Sequence, residues 1–132
     1  MRVVIDTSLW IDYNRGAVNP GERARIEQLW RDGRAILYQF VWLELVVGYR
    51  SPKEQRTIRD FRELSRWEAI AGEDGVRAEA FARVLRDQGL TVGASDLLIL
   101  AAADRLGAQL ANHDSDFELA LKNSALAHLA WT

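Results

Sequence analysis

The chain has 132 residues, 48% of them hydrophobic and 27% charged, with a formal net charge of −2. This length fits one domain with a substantial core, and the composition is ordinary for a globular protein. The absence of cysteine excludes disulfides and thiolate sites and suits a reducing cytoplasm, whereas the small net charge excludes a global field that attracts nucleic acid.

The chain opens on a short apolar run, Val3–Ile5, that ends at Asp6. The run is far too short for a signal peptide or a membrane span, so we expect a cytoplasmic protein that does not enter a membrane. Because its residues are β-branched, the run predicts a buried strand.

Further along, apolar runs alternate with amphipathic segments. They predict strands at residues 35–38, 67–70, 109–111 and 127–131, and helices over residues 7–14, 22–31, 41–49, 52–66, 76–88 and 95–106. A break is expected at residues 72–75, and one more turn of helix after Asp114. Strands that alternate with helices, without a repeat or a linker, predict a single α/β domain over residues 1–132 with a mostly parallel sheet.

Four acidic residues stand alone beside or within apolar segments. Asp6 follows the first strand, Glu44 interrupts an apolar helix, Asp96 heads another, and Asp114 comes shortly after the strand at 109–111. In an open parallel sheet, ligands gather at the carboxyl ends of the strands, so Asp6 and Asp114 are expected to face one crevice. Three of the acids also have a structural explanation, since Asp6 and Asp96 suit helix caps and Asp114 suits a turn; Glu44 in an apolar helix is harder to explain in this way.

The surroundings of these acids favour a metal site. Ionised carboxylates among apolar neighbours are costly unless a partner or a metal compensates them, and residues 41–48 and 93–103 contain no basic side chain. Carboxylate oxygens suit Mg²⁺ or Mn²⁺. Two histidines and no cysteine argue against zinc.

Four motifs around these acids resemble, in order, those of the PIN-domain family. They are Val4–Ser8, Trp42–Gly48, the segment from Gly93 through Asp96 to Ala103, and His113–Phe117. The compact size is most similar to VapC-type toxins of bacterial toxin–antitoxin pairs. The chain departs from the pattern at Asn112, where relatives often carry threonine.

The resemblance implies a fold, a site and an activity. The fold is a parallel sheet sandwiched between helices, with the acids converging on Mg²⁺ or Mn²⁺. Asp6 and Asp96 would be direct ligands, and Glu44 and Asp114 would complete the site directly or through water. A metal-activated water would then hydrolyse RNA phosphodiesters, as in an endoribonuclease toxin with a cognate antitoxin and a homodimeric state.

The roles of the neighbouring polar residues stay open in the sequence. Thr7 and Ser8 suit either helix capping or the positioning of a water or phosphate oxygen, and Asp116 suits support of its loop better than metal binding. The chain as a whole also suits an RNA-processing nuclease that is not a toxin, or a non-catalytic PIN-like interaction module.

Basic residues recur at near-helical spacing on the predicted helix at 52–66. They are Lys53, Arg56, Arg59, Arg62 and Arg66. We expect Arg56, Arg59 or Arg62 to contact phosphate groups; the alternative is a solvated helix face with ion pairs along it.

Overall fold

In the computed structural model, which describes residues 1–132, strands and helices alternate along the chain. The strands are β1 (Val3–Ile5), β2 (Ala35–Tyr38), β3 (Arg66–Glu68) and β4 (Gln109–Ala111). The helices are α1 (Thr7–Asn14), α2 (Pro20–Arg31), α3 (Gln39–Gly48), α4 (Pro52–Leu64), α5 (Gly72–Asp87), α6 (Ala94–Arg105) and α7 (Ser115–Leu121). No helix has both the length and the apolar character needed to cross a bilayer.

The four strands form one sheet in the order β3-β2-β1-β4, and every pairing is parallel. All residues of β1 and β2 are buried. Because successive side chains of a strand point to opposite faces, helices must cover both faces of these strands. The predicted α/β fold is confirmed, and the sheet is wholly parallel. All strands therefore end at the same edge, where α1 and α3 begin directly after β1 and β2.

The strand predicted at 127–131 is wrong. Ala127–Leu129 forms a 3-10 turn, in which the N–H of Leu129 donates to the carbonyl of Leu126 at 2.9 Å. Only a single bridge, between Leu110 and Ala130, joins this segment to β4. Backbone groups that are bonded within a turn are unavailable for a sheet ladder, which explains the difference.

The break expected at residues 72–75 is also wrong, because Gly72 begins α5. The carboxylate of Asp74 accepts a hydrogen bond from the N–H of Ala71 at 3.0 Å. This contact ties the start of the helix together and offsets the low helix propensity of glycine. The strand expected at 67–70 lies at Arg66–Glu68, since it pairs with β2 only over those residues.

Asp74 is also the centre of a buried ion pair that the sequence did not reveal. It is fully buried, and it accepts hydrogen bonds from the hydroxyl of Tyr38 at 2.7 Å and from Nε of Arg105 at 2.5 Å. Burial opposes the charged form, but the bonds from Arg105, Ala71 and Tyr38 outweigh it and hold the pKa of Asp74 below its usual range. The contact joins the end of β2 to α5 and α6.

Replacing Asp74 by alanine should lower the free energy of unfolding by about 3–5 kcal/mol, because Arg105 loses its partner in a largely buried place. The pKa of Asp74 lies below that of an aspartate in the unfolded chain. The stabilisation is therefore fully present above about pH 4 and is lost as the pH falls through the folded-state pKa. Urea unfolding measures both effects.

The control is Asp87→Ala, at an exposed position of the same helix, which should change stability by less than about 0.5 kcal/mol. Equal losses of stability in the two variants would contradict the stabilising role of the ion pair between Asp74 and Arg105.

Candidate active site

Asp6 lies directly after β1 and caps the start of α1. Its carboxylate is only 4% exposed. It accepts hydrogen bonds from the hydroxyl of Ser8 at 2.5 Å and from the N–H of Ser8 at 3.0 Å. Burial raises the pKa of Asp6; the bonds from Ser8 partly offset this, and the charge of Asp114 adds to it. Asp6 thus performs the capping role while its charge remains without a cationic partner.

Glu44 reaches the same place from α3. The hydroxyl of Thr7, the residue next to Asp6, donates to Oε1 of Glu44 at 2.8 Å. Burial raises the pKa of Glu44, and the charge of Asp6 raises it further, against the bond from Thr7. The hydroxyls of Thr7 and Ser8 therefore each hold one of the two carboxylates.

Asp96 lies in the first turn of α6, a helix whose residues 99–103 are all almost fully buried. A helix N-terminus favours an anion, yet burial raises the pKa of Asp96 to about 6, and the charges of four other acids contribute. In order of effect they are Asp114, Asp6, Glu44 and Asp116. All four predicted site residues therefore act on one another electrostatically at the carboxyl ends of the strands.

Asp114 belongs to the loop after β4 and caps α7. Its Oδ1 accepts from the N–H of Asp116 at 2.8 Å, and its own N–H donates to Oδ1 of Asn112 at 3.0 Å. The hydroxyl of Ser8 accepts from the N–H of His113 at 3.0 Å. Ser8 thus connects the loop after β4 to the acid that follows β1.

Two carboxylates that bond to the ring of His113 hold this loop against α1 and α2, and the sequence did not predict these contacts. The ring of His113 lies between Oδ2 of Asp12 on α1 and Oε1 of Glu22 on α2, at 2.8 Å from each. Burial works against the charged ring, but Glu22 and Asp12 outweigh it and raise the pKa of His113. No local sequence pattern signals these contacts, because three separate segments supply the partners.

The donor set fits a hard divalent cation. No lysine or arginine forms an ion pair with Asp6, Glu44 or Asp96, so none of these carboxylates has a cationic partner in the chain. No three acidic or histidine side chains lie close enough together to hold one ion directly. The arrangement therefore suits an ion bound by one or two carboxylates that keeps several waters, which is the usual mode for Mg²⁺.

Two cavities flank the acids. One, the α1–α3 groove, has a volume of about 440 Å³, and Thr7 and Glu44 line it together with apolar residues of α1, α3 and α4. The other, the β4 pocket, has a volume of about 310 Å³, and Asn112 of the Asp114 loop lines it.

The basic residues predicted to contact phosphate are all exposed on α4 or just after it. None of the five forms an ion pair with a carboxylate; the ion pairs of the chain involve other residues. Arg62 instead lies over the rings of Trp42 and Trp67, at 4.9 and 4.1 Å from their centres. A solvated face with ion pairs along it does not describe this helix, and the predicted phosphate contacts stay a prediction.

Comparison with known protein families matches residues 3–121 to the PIN domain. The chain belongs to the PIN-domain family. The predicted resemblance is thereby confirmed over most of its length. Among curated proteins, none matches this PIN domain.

Solved structures share the fold of this PIN domain over nearly its whole length. A chain of VapBC2 from Rickettsia felis, bound to a DNA fragment of its promoter, is 17% identical with a TM-score of 0.77, covering 98% of this chain and 96% of that one. A chain of DNA-bound VapBC from Salmonella typhimurium is 18% identical with a TM-score of 0.73, covering 89% of this chain and 91% of that one. VapC20 from Mycobacterium tuberculosis, a toxin that cleaves the sarcin-ricin loop, is 17% identical with a TM-score of 0.60, covering 89% of this chain and 94% of that one. At these identities the likeness shows a common fold.

The raised pKa of Asp96 predicts that the metal-free protein loses stability as the pH rises. A carboxyl group that is more readily protonated in the folded state stabilises fully below its unfolded pKa, and this contribution is lost as the pH rises through about 6, the folded-state value. Urea unfolding in EDTA between about pH 4.5 and 7 should show this decline. The Asp96→Asn variant should show a weaker dependence of stability on pH. Asp60 is an exposed acid on α4, so Asp60→Asn should keep the wild-type dependence. If Asp96→Asn showed the wild-type dependence, the repulsion among the acids would be contradicted.

Proposed function

We propose that this PIN domain is an Mg²⁺- or Mn²⁺-dependent endoribonuclease that hydrolyses RNA phosphodiesters. The observation that carries the proposal is that Asp6, Glu44 and Asp96 are drawn together at one edge of the sheet without an ion pair to any basic side chain. Burial, and to a lesser extent the charge of a neighbouring acid, raises the pKa of each of them. Structural acids normally find a partner, as Asp74 does, so uncompensated ones indicate a functional site.

In this proposal Asp6 and Asp96 would bind the ion directly, and Glu44 and Asp114 would complete the site through water. A bound ion would supply a water of lowered pKa and would screen the charge on the phosphate. The chain supplies neither a cysteine nor a Ser-His pair as an alternative nucleophile.

The other residues of the site orient the carboxylates. Ser8 fixes Oδ2 of Asp6, and Thr7 fixes Oε1 of Glu44. Because both hydroxyls donate to carboxylates, they serve to position the acids. The Asp96 carboxylate accepts no hydrogen bond from the protein, so both of its oxygens are available to a ligand.

We further propose that the enzyme is the toxin of a toxin–antitoxin pair. The solved structures that share the fold include VapBC complexes and a structure of FitAB on DNA. The α1–α3 groove supports the proposal because it presents the exposed side chains of Ile11 and Tyr49 beside Glu44. Helix α3 also leaves Val47 86% and Leu43 46% exposed. An antitoxin with an apolar segment and a basic side chain would cover these residues and neutralise the acids. The homodimer stays a prediction.

The experiment uses purified full-length chain and a mixture of single-stranded and structured RNAs. Cleavage should require Mg²⁺ or Mn²⁺, stop in EDTA, and slow by about 100-fold or more in Asp96→Asn, because a ligand is lost. Asp60→Asn is the matched control and should cleave at the wild-type rate. Adding the protein encoded beside this one should stop cleavage if the two form a toxin–antitoxin pair.

Three results would contradict parts of the proposal. Cleavage that persists in EDTA and still depends on Asp6 would exclude the metal mechanism. Folded protein that cuts no RNA with either ion would favour a non-catalytic interaction module. Cleavage that no neighbouring protein inhibits would favour an RNA-processing nuclease.

A further inference from the structure

We propose that the β4 pocket is a subsite for the RNA strand, in which Arg25 and Lys122 bind a backbone phosphate next to the one that is cleaved. The inference rests on the proposed ribonuclease function and adds to it the place where the strand lies beside the acids. The pocket has a volume of about 310 Å³ and lies along β4, at the edge of the sheet, between α2 and α7.

The pocket borders the loop that carries Asp114. Its wall includes Asn112, whose Oδ1 accepts from the N–H of Asp114 at 3.0 Å. It also includes Glu22, whose carboxylate holds the ring of His113 at 2.8 Å. An RNA strand that passes from the acids over the loop after β4 would therefore reach this pocket.

The cations of the pocket are free to bind a ligand. Arg25 and Lys122 are exposed, and neither forms an ion pair, although Glu22 and Glu118 line the same pocket. Glu22 is already engaged by His113. Two basic groups that remain unpaired beside two acids are available for a phosphate.

Trp131 gives Arg25 a defined orientation. The guanidinium carbon of Arg25 lies 4.1 Å from the centre of the Trp131 ring. The guanidinium group is planar, and stacking on an aromatic face leaves the N–H groups of its edge free in the fork that matches phosphate oxygens. The contact therefore lowers the ordering cost of binding a phosphate in the pocket.

The charge of the acids favours such a subsite. Without a metal ion, Asp6, Glu44, Asp96 and Asp114 repel the RNA backbone, and the chain as a whole carries a net charge of −2. Attraction must therefore come from the bound ion and from local cations near the acids. The β4 pocket provides two of them next to the Asp114 loop. An acidic segment of a partner protein would present similar chemistry, and the test distinguishes it from RNA.

The first measurement is the affinity for a short fluorescein-labelled RNA of mixed sequence, taken as a function of salt in the Asp96→Asn background so that the RNA stays intact. Arg25→Gln and Lys122→Gln should each weaken binding and reduce the slope of log K against log [salt] by about 0.7. The matched control is Arg31→Gln, because Arg31 is an exposed arginine at the C-terminal end of the same helix and does not line the pocket. It should leave affinity and slope unchanged.

The second measurement is cleavage by the chain with an intact active site, using RNAs shortened one nucleotide at a time from either end. Removing the nucleotide that occupies the pocket should lower kcat/KM for the wild type. The same truncation should leave kcat/KM unchanged in the Arg25→Gln, Lys122→Gln double variant, because that variant has already lost the contact. Equal losses in both proteins would overturn the proposal.

The outcomes separate this inference from the function on which it rests. If the wild type neither binds nor cuts RNA, the proposed function fails and the subsite fails with it. If the wild type cuts RNA and the double variant behaves like Arg31→Gln, only the subsite is overturned. If the double variant binds RNA normally but loses affinity for the protein encoded beside this one, the pocket is a peptide site and the proposal is equally overturned.

Discussion

Repulsion among carboxylates that are partly or almost wholly removed from solvent at one edge of the sheet is the constraint on which the function of this protein depends. The parallel arrangement brings all strand ends to that edge, and the chain places an acid after β1, in α3, at the head of α6 and after β4. Asp6 is almost fully buried, and burial together with the other acids raises the pKa of Asp96 to about 6. The hydrophobic core of 31 residues offsets this unfavourable electrostatic energy.

A second buried acid in the same fold shows that this repulsion is not a general consequence of burial. Asp74 lies beside the last residue of β2 and is more deeply buried than Asp6. Its pKa is lowered, because Arg105 and two further donors compensate its charge. The chain thus compensates one carboxylate at this edge with a basic side chain and leaves the others without a cationic partner. In the proposed function a divalent cation takes that place, because carboxylate oxygens suit it.

Most of the fold could be predicted from the sequence because its signals are local. The apolar runs of β1, β2 and β4 define strands that are buried, and lone acids beside them define the edge at which a site lies. The errors arose where particular hydrogen bonds decide the structure. Two glycines at the start of α5 suggest a break, but Asp74 accepts from the N–H of Ala71 and is held in place by Arg105, which is 31 positions further on. The apolar C-terminal segment suggests a strand, but its backbone groups bond within a turn.

The same distinction applies to the candidate site. The positions of Asp6, Glu44, Asp96 and Asp114 follow from sequence patterns, whereas the supporting contacts do not. His113 bonds to residues 101 and 91 positions away, and the cations of the β4 pocket come from α2 and the end of α7. Such contacts depend on how the helices pack, so only the folded structure reveals them.

Thermal melts of the wild type and Asp6→Asn, each in EDTA and in saturating Mg²⁺, test the central claim most directly. In EDTA the variant should be as stable as the wild type or more stable, by about 0.5–2 kcal/mol, because one repelling charge is removed. Asparagine caps a helix about as well as aspartate, so the cap of α1 is kept. In Mg²⁺ the order should reverse, since the wild type binds the ion more tightly and gains stability by mass action. If Mg²⁺ does not change the difference between the two proteins, Asp6 is a helix cap and the claim that these acids bind a cation is contradicted.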